Sequence, residues 1–279
     1  PTGHATYPHT LACIVRKTKE HMKHLLTFSL LMVSVLVNAE DVKTSNFTEE
    51  IKKYDLSDLW TLDKFQIEND TTIVDRLKPL GFIGENFQRF QIHFVSAIKN
   101  PDNKLRYFIY GKTKVKENIC TFQGTLTIEE SRTYDQGDIP TLKQGFVKGH
   151  YEFFEDPDQK GTGIIKGKFQ TDFYINEQDE IKYDALMFIA DGFQNNQFEG
   201  NWSSYTTGNS KKCNWGDYRI PGCNWNNGCD TGAGEFSIND KYLKNGWENY
   251  KLAWGTYPET SKVIKARQKE SEKWWIDSK

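Results

Sequence analysis

The chain of 279 residues carries 36 Lys and Arg against 38 Asp and Glu, a net charge of −2, with 14% aromatic residues and five cysteines. That length allows one large all-β domain or two ordinary ones, and abundant Phe, Tyr and Trp can fill a core although only 37% of the residues are hydrophobic. The charge balance excludes the concentration of unpaired cations that a phosphate backbone needs, so no nucleic-acid partner is expected.

Residues 25–37 (LLTFSLLMVSVLV) form the one long apolar run. It is shorter than the ~20 residues of a membrane-spanning helix. Met22, Lys23 and His24 precede it, and Val37-Asn38-Ala39 follow with short side chains where a signal peptidase reads. Residues 22–39 therefore read as a signal peptide and residues 1–21 as an upstream, non-native segment. The mature chain is expected to begin at Glu40, to hold no transmembrane segment and to be secreted or periplasmic. Loss of residues 1–39 removes Arg16, Lys17, Lys19 and Lys23 but only one acid, Glu20, so the remainder is more acidic. It also removes Cys13 and leaves Cys120, Cys213, Cys223 and Cys229. In an oxidising compartment these four are expected to pair as disulfides, with the connectivity open. Their spacing lacks the close ligand pairs of a structural zinc site, and no metal is expected.

Residues 40–80 read as an N-terminal extension. A short helix is predicted over 47–60, after Asn46, with Phe47, Ile51 and Tyr54 on one face. From residue 81 the chain breaks into strand-length segments: 87–97, 105–115, 119–129, 146–154, 164–175, 181–190 and 197–206. Turn-rich connectors such as Asn100-Pro101-Asp102-Asn103 and Asp156-Pro157-Asp158 separate them. Short connectors between consecutive strands imply an antiparallel meander.

Four strands share an apolar-polar-Gly-any-apolar pattern, centred on Gly124, Gly149, Gly167 and Gly200. Period-two geometry places each glycine and its apolar flanks on one face. Glycines there weaken a strand unless the sheet must bend or a large neighbour fills the gap. The pattern resembles MORN repeats, but the uneven spacing of the four glycines breaks a regular repeat. The expected fold is all-β: a meander closing into a barrel of about 8 to 9 strands over residues 81–256, with short helical extensions at both ends. A charged C-terminal helix is expected within 257–279, ending near Trp274-Trp275.

Seven of the eight tryptophans lie beyond residue 200, and three cysteines crowd into 213–229. Residues 207–232 are Gly- and Asn-rich and read as a long ordered loop. Trp202, Tyr205, Trp215, Asp217, Tyr218, Arg219 and Trp225 are the candidate ligand-binding residues. Flat aromatic faces beside directional polar groups suit a sugar or another small amphipathic molecule. The seven-residue Asn224 to Asp230 stretch is rich in oxygen ligands, yet calcium-loop spacing places Trp225 where an acid or amide belongs.

Gly200-Asn201-Trp202 on an antiparallel strand, with Arg219 further on and a C-terminal helix, is similar to the Gly-x-Trp and distant Arg of lipocalin-like barrels. That resemblance implies Trp202 and Arg219 packed together at a closed barrel end. The run from Gly81 to Phe94 also looks like secreted bacterial proteins of unassigned function, which implies export.

No nucleophile elbow, zinc-protease helix motif, phosphate loop or dinucleotide fingerprint occurs, so no cofactor or catalytic residue is assigned and the reading leans away from an enzyme. The leading expectation is an exported, disulfide-stabilised barrel that binds a small molecule or glycan through an aromatic-rich mouth. The alternative is a non-catalytic envelope protein-interaction module or inhibitor with a protein partner. A third is a glycan-active hydrolase using Asp217 with Glu235 or Glu199.

Overall fold

A computed structural model describes residues 42–66, 72–255 and 258–276. The expected signal peptide, the segment before it and Cys13 lie outside the described residues. In chain order the elements are β1 (Thr44–Asn46), a 3-10 turn (Glu50–Lys53), α1 (Ser57–Thr61), β2 (Lys64–Gln66), β3 (Ile73–Asp75), β4 (Leu80–Ile83), β5 (Gln88–Arg89) and β6 (Gln91–Lys99). The long strands follow: β7 (Arg106–Val115), β8 (Asn118–Tyr134), β9 (Lys143–Glu155), β10 (Gly163–Ile175), β11 (Ile181–Tyr183), β12 (Asn195–Ser204) and β13 (Ser210–Asp217). A second 3-10 turn (Asp240–Asn245), α2 (Glu248–Trp254) and α3 (Ser261–Ser271) end the chain.

The fold is all-β, as the alternation of apolar and polar residues predicts. Hydrogen-bonded neighbours run β5-β4-β13-β12-β10-β9-β8-β7-β6, every pair antiparallel. The two end strands of that path, β5 and β6, are separated only by Phe90, whose N–H donates to Gly81 O at 2.9 Å. One bent stretch of chain thus pairs with β4 at its start and β7 further on, and the sheet curls back to itself.

The four patterned glycines sit where the adjacent strand's backbone approaches closely. Gly167 faces Gly200 across β10 and β12. A Cβ on Gly167 would collide with Glu199 O, and one on Gly200 with Lys166 O and with the Tyr151 hydroxyl. Side chains are therefore missing where neighbouring strands close in, and a large ring uses the gap.

Inside, rings from non-adjacent strands meet. Phe94 on β6 lies 5.5 Å from Phe153 on β9 and 5.8 Å from Phe198 on β12, and Phe198 stacks on Trp215 at 4.9 Å. The middle of the barrel is packed solid. Each such ring removes about 150–250 Å² from water, and truncating one to Ala costs about 3–5 kcal/mol.

The N-terminal segment seals one end. Phe47, Ile51 and Tyr54 are all buried, as the predicted helix face requires, although the helix is a short 3-10 turn followed by α1. Trp60 packs edge-on against Tyr107 at 4.9 Å and donates its indole N–H to Thr171 Oγ1 at 2.9 Å.

Two sequence expectations are corrected. The strand expected over 181–190 is only β11, because the Asp184 side chain accepts from Leu186 N–H and the chain turns at once. The expected loop 207–232 contains β13, whose Cys213 and Trp215 alternate inward while Lys211 and Lys212 stay exposed. Polar composition hid the strand.

The rest of that loop packs on the outer face of β4 and β13. Leu80 and Phe82 form a second, smaller core there with Ile220, Cys223, Cys229, Phe236, Ile238 and Trp247. Near it, Arg89 on β5 makes a two-pronged ion pair with Glu270 on α3. Among the described residues no helix is long and apolar enough to cross a membrane.

Candidate functional site

The end opposite the N-terminal plug is open. A cavity of about 1300 Å³ runs from between the turns joining β4 to β5, β7 to β8, β9 to β10 and β12 to β13 onto the adjoining outer face of β12 and β13, where Glu199, Asn201, Lys212 and Asn214 line it. At the mouth it is lined by Phe90, Val115, Cys120 and Trp202, with Lys116, Asn118 and Lys211 at the rim.

Glu155, the last residue of β9, organises this mouth. Along β9 the inward row is Val147, Gly149, Tyr151 and Phe153, and the next inward position is Glu155, 4% exposed. Thr113 Oγ1 donates to its Oε1 at 2.5 Å, while Gly163 N–H and the Trp202 indole N–H donate to its Oε2 at 2.9 and 2.8 Å. Burial pushes the Glu155 carboxyl above its usual range, and the three donors oppose that shift. The carboxylate fixes the plane of Trp202. Lys211 Nζ stands 6.0 Å over that ring, and Tyr205 hydrogen-bonds the Glu155 carbonyl from behind at 3.1 Å.

Among the described residues Cys120 and Cys213 are free, buried thiols, and Cys223 is bonded to Cys229. This corrects the expectation that all four pair. Cys120 lies opposite Thr113 on β7, and Cys213 opposite Gly200 on β12 and Ile83 on β4, so the sheet gives neither a cysteine neighbour. Burial, together with the Glu155 charge, pushes the Cys120 thiol up to about 11 and raises the Cys213 thiol as well. Both are neutral, unreactive thiols near pH 7.

The seven candidate residues do not share one mouth. Trp202 and Tyr205 stand at the open end. Trp215 is locked in the mid-barrel ring stack, 2% exposed. Asp217 and Tyr218 belong to the plugged end, where Asp217 is fully buried and accepts from Arg76 Nε and Nη2, Tyr183 Oη and Asn196 Nδ2 at 3.1, 3.0, 3.0 and 2.9 Å. Arg76 in turn donates to the carbonyls of Trp60 and Leu62, so this network ties the plug to the barrel. Arg219 and Trp225 lie outside, on the small second core. Arg219 pairs with Asp230 and reaches the carbonyls of Ala233 and Gly234. The packing of Trp202 with Arg219 that the lipocalin resemblance implies is replaced by Trp202–Glu155 and Arg219–Asp230.

Glu155 carries no motif in the sequence. A lone acid at a strand end reads as solvated, yet the inward alternation from Val147 onward marks its position. Among the described residues no group of three or more His, Cys, Asp and Glu side chains is arranged to hold a metal ion. Comparison with family models, with curated proteins and with solved structures gives no match.

Proposed function

We propose that the protein is an exported binding protein that holds a small molecule in the open barrel mouth. The observation that carries this reading is the 1300 Å³ cavity with Trp202 fixed over a packed core by Glu155. Ligand pockets combine apolar walls with a few placed polar groups, and here Phe90, Val115 and Trp202 supply the wall while rim amides and lysines supply the directional contacts. An apolar ring or short chain carrying polar groups at one end fits this division. Export is supported by the leader-like residues 22–39 and by the Cys223–Cys229 disulfide.

A thermal-shift screen of metabolites, followed by calorimetry, tests the reading. A ligand found this way should lose at least tenfold in affinity with Trp202→Ala and keep it with Trp225→Ala. An affinity indifferent to Trp202→Ala refutes the mouth as the site.

A second reading, a protein-interaction module, is favoured by exposed apolar residues on the outer strands. Ile98 lies opposite Phe108 on β6 and β7, and Tyr110 and Phe154 both flank Gln123. If this face binds a partner, a pull-down from an envelope fraction should fail with Phe108→Asp. The hydrolase reading loses its acid, because Asp217 is fully buried and saturated by Arg76, Tyr183 and Asn196.

A further inference from the structure

Trp225 is 75% exposed, yet the loop that carries it is tied down on both sides. The disulfide between Cys223 and Cys229 closes the segment. Inside it, Asn224 N–H donates to Asn227 Oδ1 at 3.1 Å and Asn227 N–H to Asn224 Oδ1 at 3.3 Å. Asn227 Nδ2 donates to Gly222 O at 2.6 Å, and Cys229 N–H also reaches Asn227 Oδ1 at 3.1 Å. Both half-cystines are buried in the outer core beneath. The ring is outside because the loop is tied down in a shape that leaves it there.

Beside the ring is a separate cavity of about 270 Å³, lined by Gln194, Arg219, Gly222, Asn224 and Asp230 as well as Trp225. Its two charges neutralise each other, since Arg219 is paired with Asp230, and Asp230 Oδ1 is filled by the N–H groups of Gly232 and Ser237. Among the residues that line it, the exposed side-chain groups that can hydrogen-bond a ligand include the neutral Gln194 amide and Asn224 Nδ2, and Lys212 Nζ approaches the edge at Gly222. A flat apolar face next to neutral amides matches a molecule with C–H groups on one face and hydroxyls around its edge.

We propose that the Cys223–Cys229 loop carries a second binding site, distinct from the barrel mouth, that takes one neutral sugar residue stacked on Trp225 and hydrogen-bonded through Gln194 and Asn224. The loop is ordered before binding, so little conformational entropy is lost on contact. One aromatic face and a few hydrogen bonds give weak affinity, about millimolar. Such a site anchors the protein to a polymer through one unit of it, independently of what fills the mouth.

Saturation-transfer NMR on the full chain with methyl glucoside, methyl galactoside, methyl mannoside and N-acetylglucosamine tests this. The expected result is transfer to the C–H protons of at least one sugar, lost in Trp225→Ala and kept in Trp225→Phe. Trp202→Ala, which alters the mouth, should leave the transfer in place, so the two sites fail separately. Absence of transfer to all four sugars, or transfer undiminished in Trp225→Ala, overturns the proposal.

Discussion

Single side chains in this molecule are set by what surrounds them more than by their type. Asp172 on β10 shows this. Burial pushes its carboxyl from its ordinary 3.8 up to about 6, the nearby Asp184 adds to the shift, and a hydrogen bond from Gln170 at 2.8 Å opposes it. The folded state therefore binds a proton that the unfolded chain has released between pH 3.8 and about 6, and stability falls as pH rises through that window. Above about pH 6 the loss is complete, on the order of 2–3 kcal/mol for a shift of this size. Urea unfolding from pH 4 to 8 should show Asp172→Asn more stable than the parent at pH 7 and level with it near pH 4. Parallel profiles would refute the assignment. Glu155 has the same buried character but is used differently, because its three donors make it the fixed post on which Trp202 is mounted.

At the scale of elements, the glycine pattern carries the most information. Its reading as sheet curvature is supported by the Gly167–Gly200 pair, where a methyl group on either residue would strike the opposite strand. Gly167→Ala should destabilise by about 1–3 kcal/mol or more, as overpacking does, measured as a lower urea midpoint with unchanged slope; a neutral outcome would remove the close-approach argument. Most strands were legible from alternation and turn chemistry because each buries one face. β13 was not, because Lys211, Lys212 and Asn214 dilute the inward Cys213 and Trp215. Nor could the sequence say which barrel end stays open. That depends on the N-terminal segment meeting the β6–β7 end through Trp60, Tyr107 and the Lys99 bonds to Lys52 and Tyr54 carbonyls. Such contacts are long-range, and local pattern does not encode them.

For the whole molecule, the structure separates a barrel core from a smaller outer core that contains the disulfide. Cys223 and Cys229 are six residues apart, and closing a loop that short is worth about 2 kcal/mol in the chain-entropy account. Replacing both with Ser should cost about that much, while peptide mapping of denatured, unreduced protein should find Cys120 and Cys213 alkylated and Cys223 and Cys229 protected. Alkylation of all four would refute the bond. The candidate residues are aromatic and polar neighbours in sequence, and the barrel distributes neighbours: along β13 and beyond, Trp215, Asp217 and Arg219 point to the core, the plug and the outside. Of the seven, Trp202 and Tyr205 lie at the mouth and Trp225 on the outer loop.

The N-terminal plug has a kinetic consequence. Trp60 bonds to Thr171, Leu59 O to Asn196 and Arg76 to Asp217, partners 111, 137 and 141 residues away. The first described segment to emerge during synthesis thus waits to find its place, since its binding surface is made from strands completed far later. Folding with so many distant contacts falls in the slow regime, and Phe47, Ile51 and Trp60 stay exposed throughout that wait. The chain must be shielded or kept extended until β13 is in place.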